Sequence, residues 1–120
     1  MFVLKGILRA ESQEKIMIYL FLRESGYAQA IANFFGITLS SVQSQLNRME
    51  EDGVIVGTEI GKTRQFIFNP RYVFRKELIL LLEKAVDAYP PALVEELRMN
   101  RRRPRARGKP VNYLDNGEAS

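Results

Sequence analysis

Between Leu39 and Asp52 the chain carries Ser40, Ser41, Gln43, Ser44, Gln45, Asn47 and Arg48, side chains suited to hydrogen bonding with a surface. They surround Val42, Leu46 and Met49, whose i, i+4, i+7 spacing is that of one buried stripe on a helix. An ordinary solvated face carries more Glu and Lys, which favour helix over Ser and Asn. Short donors and acceptors, free of acid until Glu50, are what a helix needs to meet base-pair edges in a major groove. Farther on, Gly61, Lys62, Thr63 and Arg64 make a basic turn. Such a turn either contacts phosphates, adding salt-dependent affinity with little sequence information, or is a pair of solvated charges. Arg48 has two readings, contact with DNA or pairing with Glu51 or Asp52 one turn on. Gln29 likewise either donates to a phosphate or is an exposed helix former.

Other chemistry is excluded by residue type. The 120 residues include no cysteine and no histidine. Disulfides, thiolate or imidazole metal sites, and Cys–His or Ser–His nucleophiles are therefore ruled out. Glu50, Glu51 and Asp52 are the only dense carboxylates, and three consecutive helical residues do not converge on a cation. No phosphate-cradling glycine loop or acid–base pair is visible. No catalytic residue, metal site or cofactor is expected, and the chain does not read as an enzyme.

The elements that must position these groups follow from periodicity and punctuation. Ser12 is placed as the N-cap of a helix ending near Glu24, before Ser25-Gly26. A short apolar helix from Tyr27 to Phe35 stops at Gly36, and the polar helix from Leu39 to Asp52 stops at Gly53. Val54–Glu59 and Thr63–Phe68 alternate with period two and read as a hairpin that Asn69-Pro70 ends. A helix from Val73 to Ala88 is broken by Tyr89-Pro90-Pro91, and a last short helix runs from Ala92 to Met99. Phe34, Phe35, Phe66, Phe68 and Tyr72 have spacings that point inward, to a core. The centres of two helices, 16–22 and 78–82, are apolar on nearly all sides. A surface helix shows one stripe, so both call for cover from two directions, the second supplied by a partner subunit.

Net charge is +4 but uneven. Residues 1–97 hold 11 Lys and Arg against 12 Asp and Glu, whereas residues 98–120 hold 7 against 2. The cationic run, with Arg101, Arg102, Arg103, Arg105 and Arg107, lacks apolar periodicity and so remains disordered until something binds it. Either it meets a polyanion or it is a solvated end. The division expected is a folded unit over 1–100 and a basic tail over 101–120. The start has no uninterrupted apolar run with a cleavage site, and no run is long enough to span a bilayer, so no membrane and a cytoplasmic location are expected.

Residues 7–88, and most specifically Ile31 through Gly53-Val54-Ile55, the basic turn and Gln65-Phe66-Ile67-Phe68, resemble the ArsR-type winged helix-turn-helix transcriptional regulators. The resemblance implies a mainly α fold with a small β-hairpin wing, here extended by a C-terminal helix and the basic tail. It implies a homodimer that binds double-stranded DNA sequence-specifically, as a repressor. Ser40, Ser41, Gln43, Ser44, Gln45 and Arg48 would face the major groove, and Lys62, Thr63 and Arg64 would form the wing. Family members that sense soft metals use cysteine or histidine, and that property does not carry over. The alternative is a winged-helix protein-interaction module whose basic tail engages nucleic acid.

Overall fold

The computed structural model describes residues 2–102. Five helices and one three-stranded antiparallel sheet follow in the order α1 (Glu11–Arg23), β1 (Gly26–Tyr27), α2 (Ala28–Phe35), α3 (Leu39–Glu51), β2 (Ile55–Ile60), β3 (Thr63–Phe68), α4 (Arg75–Val86) and α5 (Pro91–Arg102). The sheet order is β1-β3-β2. Ile55 pairs with Phe68 at one end of the hairpin and Ile60 with Thr63 at the other. The chain is thus a pair of short helices in tight succession, followed by a hairpin, with α1 packed against them and α4 and α5 packed on α1.

The hub is α1. Ile16, Met17, Ile18, Tyr19, Leu20 and Leu22 are all buried, and α2, α3, α4, α5 and β3 all touch the helix. Its all-round apolarity is therefore satisfied inside one chain, which corrects the expectation that a partner subunit covers it. Helix α4 is covered less completely. Leu82 and Ala85 are buried, Leu78, Ile79 and Leu81 are half-buried, and Leu80 is 55% exposed.

The start of α1 also departs from expectation. Ala10, in extended conformation, is the N-cap and Ser12 already lies in the first turn. Glu14, in the same turn, is buried and accepts the backbone N–H groups of Val3 at 2.8 Å and Leu4 at 3.2 Å, together with the Tyr89 hydroxyl. This carboxylate ties the N-terminal segment to the turn before α5. Phe2 packs edge-on against Tyr89 and Phe35 beside it. At the other end of α1, Glu24 takes a left-handed conformation (φ 72°) and donates its N–H to Leu20 O.

Strand β1 has only two residues, yet it joins the sheet to the start of α2. Gly26 pairs with Phe66 and Tyr27 with Gln65. A Cβ at residue 26 would stand 2.7 Å from the Tyr19 ring, so only glycine lets the strand lie this close to α1. Gly36, at φ 67°, ends α2 and donates to Ala32 O. Thr38 then caps α3, accepting from Ser41 N at 3.2 Å. Val42, Leu46 and Met49 are the buried stripe of α3.

The segment before α4 turns twice through Tyr72 N→Asn69 O and Arg75 N→Tyr72 O, so α4 begins two residues later than periodicity suggests. Val73 and Phe74 are left outside it, 82% and 60% exposed. Leu97 of α5 is fully buried, and its carbonyl accepts Arg23 Nε at 3.0 Å. The Arg23 guanidinium lies over the Tyr19 and Phe34 rings. Fixed in this way, α5 continues beyond Met99, so the backbone of Arg101 and Arg102 belongs to its last turn. Arg103, Arg105 and Arg107 lie outside the described residues. Among the described residues no helix is long and apolar enough to cross a membrane.

Candidate nucleic-acid interface

Helix α3 presents Ser40, Gln43, Ser44, Asn47 and Arg48 to solvent. These positions share the face opposite Val42, Leu46 and Met49. Ser41 and Gln45, the other two candidates on this helix, are half-buried along its margin. The exposed stripe is therefore narrower than the composition suggests. It also includes Asn47, which the family resemblance does not place among the groove-facing residues. Its position four residues after Gln43 was the available signal. No acid accompanies these groups until Glu51, and Arg48 forms no ion pair among the described residues.

Beside this face stands the hairpin tip. Gly61 turns at φ 65°, and the Thr63 hydroxyl donates to Ile60 O at 3.0 Å, so it serves to close the turn. Lys62 is exposed and unpaired among the described residues. Arg64 is not free. Its two terminal nitrogens bond both oxygens of Glu50, at 3.0 and 2.8 Å, and one also donates to Gly57 O at 3.1 Å. Its guanidinium covers the Phe66 ring, 5.2 Å from the centroid. Glu50 accepts Gly57 N–H as well, at 3.2 Å. The Arg64 bonds, reinforced by Gly57, hold the Glu50 carboxyl below the ordinary glutamate range despite partial burial. Glu50 thus leaves the acidic cluster at the end of α3 and faces the hairpin. No local signal marks this pair, whose members stand 14 residues apart in different elements.

A Cβ at residue 57 would approach Arg64 Nη2 and Phe66 Cε1 to 2.7 and 2.8 Å. The absence of a side chain there makes room for the guanidinium to lie flat across the hairpin.

Between α3, the hairpin and the β1–α2 junction lies an open cleft of about 490 Å³. Tyr27, Leu39, Leu46 and Phe66 form apolar parts of its lining, and Gln29, Gln43, Asn47, Lys62, Thr63 and Arg64 the polar parts. Gln29 is committed to its own helix, donating to Asn33 Oδ1 at 3.0 Å. No acidic side chain lines the cleft, and with Arg64 neutralised by Glu50 its net cation is Lys62. Phe66 and Phe68 are buried and Phe34 and Phe35 half-buried against the core, whereas Tyr72, expected there too, is half-buried outside that cluster, edge-on to Phe74. No three His, Cys, Asp or Glu side chains converge on a metal-sized site among the described residues.

Compared with protein-family models, curated proteins and solved structures, the chain matches none of them. The resemblance over residues 7–88 therefore rests on those residues alone.

Proposed function

We propose that the chain is a winged helix-turn-helix regulator that binds double-stranded DNA sequence-specifically, with α2 and α3 as the helix-turn-helix and β2–β3 as the wing. One observation carries this. The exposed face of α3 is uncharged from Ser40 to Asn47, offers hydrogen-bonding groups throughout, and stands beside the cationic hairpin tip. A helix of this kind suits the major groove, with Lys62 placed for a phosphate. Its role would be that of a cytoplasmic repressor, acting by occupying a promoter.

A homodimer goes with this function. Val73, Phe74 and Leu80 are exposed apolar side chains on or just before α4. Next to them lies a groove of about 370 Å³ lined by Ile7, Met17, Leu78 and Leu81 among others. Burying that surface against a second copy would place two α3 helices on successive half-sites. The same apolar surface favours a second reading, a module that docks a different protein.

The deciding experiment is a mobility shift with the full chain, a labelled duplex selected from random sequence, and unrelated duplex as competitor. A complex that survives excess competitor near physiological salt is the expected result. Equal competition by any duplex, or no complex at all, would overturn the proposal and leave the protein-docking reading in its place.

A further inference from the structure

We infer that the cleft between α3 and the hairpin reads A·T base pairs, with Gln43 and Asn47 as the specificity-determining side chains. The assignment rests on the duplex-binding function proposed above and names what that duplex must contain.

The cleft first excludes the commonest alternative ligand, a phosphate held by several cations. Its lining carries two cations, and Arg64 is occupied by both oxygens of Glu50 and by Gly57 O. What remains is Lys62 and a set of neutral hydrogen-bonding groups. Gln43 and Asn47 are exposed, line the cleft, and have no hydrogen-bond partner among the described residues. Each carboxamide pairs one acceptor with a two-proton donor on a single plane. The base edge complementary to that pattern is adenine in the major groove, where N6–H donates and N7 accepts. Guanine offers N7 and O6, two acceptors, and calls for Arg or Lys instead. Arg48, the one cation on the exposed face of α3, does not line the cleft.

The spacing fits as well. Residues four apart lie on one face, about 6 Å along the helix axis. That is about two steps of a duplex rising 3.4 Å per base pair. The two carboxamides can therefore address two A·T pairs within two steps of each other. Leu39, half-buried, gives the cleft an apolar wall beside which a thymine methyl can lie.

The test begins with selection of binding sites from random duplexes by the full chain at fixed salt. Two A·T positions within two steps, in each half-site, are expected. Replacing the adenine at either position by 7-deazaadenine, which lacks N7, should weaken binding about tenfold. Gln43→Ala should abolish that sensitivity at one position and Asn47→Ala at the other. Both side chains are exposed and unbonded, so neither change should disturb folding, which circular dichroism checks. A selected site with G·C at those positions, or variants that keep the full 7-deazaadenine penalty, would overturn the assignment while leaving duplex binding intact. No selected site at all would overturn the assignment together with the proposed function.

Discussion

Arg64 holds Glu50 through two hydrogen bonds, of 3.0 and 2.8 Å, and so joins the hairpin to the last turn of α3. Two cations close in sequence, Lys62 and Arg64, consequently have different surroundings. Under the proposed function Lys62→Ala should weaken binding to all duplexes alike and lower the salt slope by about one. Arg64→Ala should leave the slope nearly unchanged and reduce discrimination between sites, because the angle between hairpin and helix is no longer fixed. An equal drop in slope in both variants would show that Arg64 leaves Glu50 to reach a phosphate.

The same pair gives an acid dependence. The Glu50 carboxyl is held below its ordinary value, chiefly by the hydrogen bonds from Arg64. A depressed value in the folded state means that the link stabilises above the unfolded glutamate value, about 4.3, and is lost as pH falls through the folded value. Melting temperature followed downward from pH 6 should fall in that window. Glu50→Gln should start from a lower melting temperature and lose that part of the pH dependence. Parallel curves for the two proteins would remove the link from the stability of the fold.

An alkaline counterpart lies at Tyr89. Its hydroxyl is pushed above the ordinary tyrosine value, first by burial and then by Glu14. Here the folded state keeps its proton where the unfolded chain loses it, so stability holds up to about pH 10 and declines above it. Tyr89→Phe should remove the tyrosine's share of that decline. At neutral pH it should cost about 1–3 kcal/mol, because the buried Glu14 carboxylate is left without that donor. Denaturant unfolding at pH 7 and pH 11 measures both effects.

Ile18 and Leu80 separate core from surface. Ile18 is fully buried in α1, and Ile18→Ala should destabilise the fold by about 2–5 kcal/mol. Leu80 is more than half exposed, and Leu80→Glu should leave the melting temperature nearly unchanged while weakening self-association in sedimentation. A monomeric parent protein at tens of micromolar would refute the dimer, whatever the variants do.

For the basic tail, a chain ending after Arg102 keeps all of α5 and its buried Leu97. If the remaining cations lie along phosphates, truncation should lower non-specific affinity and reduce the salt slope by about 0.9 for each phosphate no longer neutralised. The preferred site should be unchanged. A lower melting temperature or an altered oligomer would instead mean that the tail packs on the protein.

Local signals located the elements well. Gly36 and Gly53 both adopt positive φ just beyond the helices they were expected to end, and the hairpin strands fall within one residue of the alternating pattern. Interactions between distant residues were not legible. Strand β1 is too short for any periodicity, and its place depends on Gly26 lying against the Tyr19 ring. Glu50 looked like one of three solvated acids, since nothing local distinguishes it from Glu51 or Asp52. The apolar centre of α1 signalled burial correctly but could not say by what. The polar face of α3 was evident from composition, while its narrowing at Ser41 and Gln45 follows from how the helix is rotated against α1 and the sheet.

The central place of α1 has a consequence during synthesis. The helix is made well before its last partners: Tyr89, which donates to Glu14, and Leu97, which seals the far end through Arg23, lie 75 and 74 residues away from the residues they meet. Until α5 has left the ribosome, the helix with the most buried side chains has an uncovered side. Between the emergence of α1 and that of α5, that side is available to a chaperone or to a neighbouring nascent chain, and slower translation over this interval should lower the yield of native protein.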